Sequence, residues 1–124
     1  MEKLLYEEES YQIIGCCMEA HRLLGRGHHE VIYKDALEFE FGLNKIPFER
    51  EKPFKIQYKT TILPRSYKAD FVVFGRILLE IKAIECLIKS NVKQTLNYLA
   101  ATKLRLGLLV NFGEDSLAFQ RIVL

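Results

Sequence analysis

A chain of 124 residues, 49% hydrophobic and 27% charged, is long enough for one hydrophobic core and too short for two, so we expect a single soluble domain over residues 1–124. No apolar run approaches the roughly 20 residues of a membrane helix, which excludes a helical membrane protein, and a net charge of +2 does not by itself argue for nucleic acid. The opening MEKLLYEEE lacks a basic region followed by an apolar one, so no signal peptide and a cytoplasmic location are expected.

In chain order, Ser10 is placed to cap a helix whose apolar positions Ile13, Ile14, Cys17, Ala20, Leu23 and Leu24 follow helical spacing up to Gly25. Gly25-Arg-Gly27 breaks the chain. A second helix is expected from about His28 to Phe41, with Val31, Leu37 and Phe41 toward the core and Gly42 as its C-cap. Pro47 opens a strand-rich stretch, with pieces at Phe48–Glu51 and Phe54–Tyr58 interrupted at Pro53. Thr60–Ser66, which holds Pro64, reads as a turn or an irregular edge. Strands follow at about Tyr67–Phe74 and Ile77–Ala83, joined at Gly75-Arg76. Ser90 or Asn91 caps a helix running to about Thr102, Leu106–Asn111 is a short buried strand, and Leu117–Val123 is a final edge strand. The order ααβββαβ with an extra strand makes the class α/β or α+β around a mixed sheet.

Cys16, Cys17 and Cys86 have neither zinc-ligand nor disulfide-framework spacing, and we expect reduced, mostly buried thiols. Adjacent His28 and His29 cannot easily aim both rings at one ion, and no HExxH or cysteine partner accompanies them. They read as surface residues at a helix N-terminus, and His21 as a helix-surface residue.

The chemistry concentrates between Lys68 and Lys82, where Asp70, Glu80 and Lys82 interrupt apolar β-sequence. Partly burying a carboxylate or an ammonium costs several kcal/mol unless a partner or a metal compensates. Glu80 and Lys82 share one face of their strand; Asp70, Val72 and Phe74 share a face of the preceding one. Pairing Asp70 opposite Glu80 brings the two carboxylates within reach of one divalent cation. That register requires an odd-numbered turn such as Phe74-Gly75-Arg76, whereas a two-residue turn would put the acids on opposite faces. Two hard anionic donors suit magnesium or manganese, with the Ile81 carbonyl as a further oxygen. Such an ion polarises a phosphate and acidifies a bound water, while Lys82 orients that water or neutralises the transition state. The competing explanation is an internal salt bridge from Lys82 to Glu80 or Asp70 on a half-exposed sheet.

Glu30 and Tyr33, three apart, share a face of the second helix, and Gln94 and Tyr98, four apart, share one of the later helix. Glu30 is a candidate to complete the acidic cluster, directly or through water; Gln94 and Tyr98 are candidates to hold the site or bind phosphate. Between residues 50 and 70, Arg50, Lys52, Lys55, Lys59, Arg65 and Lys68 face only Glu51 and Asp70, which suits a phosphate backbone and equally suits a solvated strand face.

Gly27-His-His-Glu30-Val-Ile-Tyr33 resembles the signature of the GxxExxY family in the PD-(D/E)XK nuclease-like superfamily. The likeness extends over Ala69-Asp70, Glu80-Ile-Lys82, Gln94-Thr-Leu-Asn-Tyr98 and Leu106-Gly-Leu-Leu-Val-Asn-Phe-Gly113. It implies a restriction-endonuclease-like αβββαβ core and a metal at Asp70 and Glu80. It also implies Lys82 as the catalytic lysine, Glu30 as the helix-borne acid, and a glutamine–tyrosine helix at Gln94 and Tyr98. Ala69 stands where the superfamily name has Pro, and Lys68 keeps the charge of an expected Arg. Tyr33 and Lys68 complete the expected substrate-binding set. The function that follows is a magnesium- or manganese-dependent nuclease, DNA favoured over RNA, structure-selective or non-specific, with no membrane partner. The final strand offers an edge for a homodimer. The alternative is an inactive nuclease-fold module that binds nucleic acid or a partner protein.

Overall fold

The computed structural model describes residues 4–124. Its elements are α1 (Glu7–Leu24), α2 (Glu30–Leu43), β1 (Phe48–Tyr58), β2 (Thr61–Val73), β3 (Ile77–Lys82), α3 (Lys89–Thr102), β4 (Leu106–Asn111) and β5 (Ala118–Val123). The strands form one mixed sheet in the order β1-β2-β3-β4-β5, antiparallel except for the parallel pair β3–β4, which α3 connects. This is the expected α+β sheet flanked by helices. β3 and β4 are buried on both faces, as expected of central strands. The larger core lies between the sheet and α1 with α2, around Ile13, Tyr33, Leu37, Phe41 and Phe71. A smaller one lies under α3, around Val72, Leu78, Leu99 and Leu109. No helix among the described residues is long and apolar enough to cross a membrane.

Several local expectations are corrected. Helix α1 begins before Ser10, because Tyr6 turns the chain at φ 51° and Glu7, Glu8 and Glu9 favour the positive helix end. Ser10 lies inside the helix, its hydroxyl donating to the Tyr6 carbonyl at 2.7 Å. Helix α2 starts at Glu30 because Gly27 (φ 106°) and an extended His29 still belong to the turn; it runs through Gly42, and Asn44 follows its end. Its buried stripe is Tyr33, Leu37 and Phe41, while Val31 is 51% exposed. Strand β1 is continuous through Pro53, which an edge strand tolerates because the missing N–H can face away from the ladder. Thr61–Ser66 is strand as well, paired to β1 with a slip between Lys55 and Gln57. His21 is buried, its Nε2 2.9 Å from the Glu114 carbonyl oxygen. Cys16 and Cys17 are buried, but Cys86 is exposed.

Candidate active site

The turn between β2 and β3 decides where the acids meet. Phe71↔Leu79, Val72↔Leu78 and Val73↔Ile77 pair across a three-residue turn, Phe74-Gly75-Arg76, with Phe74 and Gly75 at φ 57° and 67°. Extending that register sets Asp70 opposite Glu80. The regular ladder stops there, and side chains take over its hydrogen bonds: the Ile81 N–H donates to Asp70 Oδ2 at 2.8 Å, and the Asp70 N–H to Glu80 Oε2 at 3.3 Å.

Strand alternation also fails at this point. Ala69 and Phe71 are two apart yet join opposite cores. Across the ladder, Glu51 takes φ 54° between the pairs Arg50↔Phe71 and Lys52↔Ala69. The expectation that Asp70, Val72 and Phe74 share one face is therefore corrected: Val72 packs in the α3 core, and Phe74 lies in the turn against the other.

A cavity of about 130 Å³ opens where the strands part, lined by Glu30, Tyr67, Lys68, Asp70, Glu80, Lys82, Gln94, Thr95 and Tyr98. The structure thus brings Asp70, Glu80, Lys82, Glu30, Gln94, Tyr98 and Lys68 together. Ile81 takes part through its backbone N–H. Tyr33 does not reach the cavity: it is fully buried, stacks on Phe112 at 4.5 Å and donates to the Gly25 carbonyl at 2.6 Å. It also accepts the His28 N–H at 3.3 Å, so it pins the turn that delivers Glu30.

Glu80 is 6% exposed, and burial pushes its carboxyl up from 4.5 to about 7 against the opposing Asp70 N–H bond and the charges of Lys82 and Lys34. The Tyr67 hydroxyl donates to Glu80 Oε1. Tyr67 in turn stacks on Tyr98 at 3.8 Å, whose hydroxyl is pushed up by burial and by the charges of Glu80 and Asp70. Lys82 is half-buried with no ion-pair partner among the described residues, which removes the salt-bridge explanation of its position. The lysine that does pair is Lys34 of α2. Its Nζ lies 3.2 Å from Asp70 Oδ1 and also contacts Glu51.

Lys34, Glu51, Tyr67 and Thr95 were not singled out by sequence reasoning. The one available signal was helical spacing, since Lys34 stands four after Glu30 and shares its face. Beyond the site, buried Asn111 donates to the Ile84 carbonyl at 2.9 Å and accepts the N–H groups of Ile84 at 3.0 Å and Gly113 at 3.1 Å. A Cβ on Gly113 would stand 2.1 Å from the Ile84 carbonyl oxygen. These contacts latch the segment that follows Lys82.

Among the described residues no three His, Cys, Asp or Glu side chains converge to enclose an ion, so Glu30 lines the cavity without completing a three-ligand cluster. Two carboxylates in a polar cavity open to water and phosphate fit magnesium or manganese, and the absence of nitrogen or sulfur donors does not fit zinc.

A mixed sheet flanked by helices, with two carboxylates and a lysine where two strands diverge, defines a restriction-endonuclease-like domain. The chain belongs to the PD-(D/E)XK nuclease superfamily, whose family model matches residues 7–122. No curated protein and no solved structure matches it. The membership supports a nuclease-type function directed at nucleic acid, and nucleases of this superfamily generally use divalent metals.

Proposed function

We propose that the protein is a magnesium- or manganese-dependent nuclease of the GxxExxY family that hydrolyses phosphodiester bonds in DNA rather than RNA, selecting by structure or cutting without sequence preference. The observation that carries this reading is the convergence of the Asp70 and Glu80 carboxylates, which accept the N–H groups of Ile81 and Asp70 respectively, beside the unpaired ammonium of Lys82.

Asp70 and Glu80 would hold the ion, with the Ile81 carbonyl as a further oxygen and Glu30 reaching it through water. When bound, a divalent ion supplies Lewis-acid polarisation of the scissile phosphate and lowers the pKa of a water. Glu80 would hold that ion in its ionised form. Lys82 orients the attacking water and offsets the negative charge that builds on phosphate. Lys68, Gln94 and Tyr98 hold the substrate phosphate against the cavity wall. A homodimer fits this reading, because β5 is an edge strand available for pairing.

The test is cleavage of linear, nicked, branched and single-stranded DNA with magnesium or manganese, alongside Asp70→Ala. Cleavage lost in the variant with the fold retained supports the reading; no cleavage of any substrate by the wild type refutes it. One observation favours the alternative of a non-cleaving module: the Lys34 ammonium already neutralises Asp70 without an ion. Such a module shows no divalent-ion titration at Asp70 and Glu80.

A further inference from the structure

From Lys52 to Ala69 the chain carries Lys52, Lys55, Lys59, Arg65 and Lys68 and no acidic residue. Lys52 is tied to Glu49 at 2.8 Å; among the described residues no carboxylate lies within ion-pair range of the other four.

The topology turns this basic segment into a separate arm. β2 leaves β3 at Asp70, whereas β1 and β2 stay paired as far as Tyr58↔Thr61, so the two strands continue as a ribbon with no further neighbour in the sheet. Phe54 and Tyr67 pack the root of the ribbon on the α3 core. From Phe54 to Lys59 at the tip is roughly 17 Å, taking about 3.4 Å per residue. Residues 57–66 are all exposed, including Tyr58 at 57% and Ile62 at 52%. The cross-strand pairs Pro53↔Lys68 and Lys55↔Ser66 set Lys55 and Lys68 on one face, and Lys68 also lines the cavity. Positive charge is therefore spread along the ribbon, from Lys59 and Arg65 near its tip to Lys55 and Lys68 near the cavity.

We infer that the β1–β2 ribbon is the duplex-binding element, entering the major groove of B-form DNA and selecting duplex DNA over duplex RNA and single strands. The inference rests on the nuclease reading for the fate of the substrate. The physical reasons are size and charge. The B-form major groove, about 12 Å wide, admits a two-stranded ribbon, whereas the major groove of an RNA duplex is too deep and narrow. Unpaired lysine and arginine gain by releasing phosphate counterions. A protein partner would suit the exposed Tyr58 and Ile62, but it leaves an all-cationic ribbon beside a phosphodiesterase-like cavity without a reason.

The experiment compares the wild type with Lys55→Gln/Lys59→Asn/Arg65→Gln, where Asn suits the left-handed φ of 55° at position 59. Binding is read by fluorescence anisotropy in EDTA, so that nothing is cut, across roughly 50–200 mM salt. The probes are a labelled DNA duplex of two helical turns, one of its strands, and an RNA duplex of the same sequence.

The wild type is expected to bind the DNA duplex most tightly. The variant is expected to bind it roughly tenfold or more weakly, with a slope of log K against log salt shallower by about 2 to 3. An unchanged affinity and slope in the variant overturns the inference and leaves the ribbon as a protein-binding surface; so does a wild type that prefers RNA duplex or single strands. Cleavage in magnesium or manganese is scored separately. Ribbon-dependent duplex binding without cleavage removes the nuclease reading and keeps this inference. Equal cleavage of DNA duplex by wild type and variant, with equal binding, does the reverse.

Discussion

Consider Glu80→Gln in the metal-free protein. The carboxyl is 6% exposed, and burial raises it from 4.5 to about 7. Below pH about 4.5 it is neutral both folded and unfolded, so its burial carries no ionic penalty. Between about 4.5 and 7 the unfolded chain ionises first, binds fewer protons than the native state, and stability falls as pH rises. Above pH about 7 both states are ionised and the full penalty applies. The gap between 4.5 and about 7, at about 1.4 kcal/mol per pH unit, amounts to about 3 kcal/mol at pH about 8.

Gln is neutral throughout and can keep both contacts, its carbonyl accepting the Asp70 N–H and its amide donating to the Tyr67 hydroxyl oxygen. Thermal unfolding followed by circular dichroism in EDTA should therefore show the variant melting on the order of 10 °C above the wild type at pH about 8, and level with it at pH about 4.5. Magnesium should raise the wild-type Tm and leave that of the variant unmoved. A Tm difference that ignores pH, or a variant less stable at pH about 8, refutes the reasoning.

Lys82→Ala should lower cleavage by about 10² or more while shifting Tm by a few degrees at most; a loss of several kcal/mol instead would mean that the lysine holds the fold. Lys34→Met removes the charge shared by Asp70 and Glu51, so metal-free stability should fall by about 1–3 kcal/mol, and magnesium should restore more stability to the variant than it gives the wild type. Equal stabilisation of both by magnesium would show that the ion and Lys34 do not compete. Gly113→Ala, which drives a methyl group into Ile84, should cost more than about 3 kcal/mol in urea unfolding, and Asn111→Ala about 2–4 kcal/mol from unpaired groups on Ile84 and Gly113. Unchanged midpoints would show that the segment after Lys82 is not latched by these contacts.

What was legible in the sequence was periodicity and turn length. The apolar runs of β3 and β4 read as buried strands, and the odd turn at Phe74-Gly75-Arg76 was recognisable as the condition for Asp70 to face Glu80. Helical spacing placed Glu30, Gln94 and Tyr98 on faces that do meet at the cavity. The same spacing misjudged Tyr33: i,i+3 proximity to Glu30 says nothing about which neighbour buries a ring, and Phe112, 79 residues downstream, does. Lys34 escaped because its partners come from β1 and β2, and an ion pair between distant segments leaves no local pattern.

The break of alternation at Asp70 was equally hidden: it lies across the ladder from Glu51 at φ 54°, a backbone state that no local pattern announces. That break gives the two acids a task even without a ligand. Where β2 parts from β3, the N–H groups of Asp70 and Ile81 lose their ladder partners, and a buried N–H left without an acceptor costs about 1–3 kcal/mol. The carboxylates of Glu80 and Asp70 accept those bonds. The acids are thus held in place by the backbone they serve, and their orientation is set before any ion or phosphate arrives. A strand divergence capped by acidic side chains is, on this account, how the fold builds a preorganised anionic pocket from two neighbouring strands.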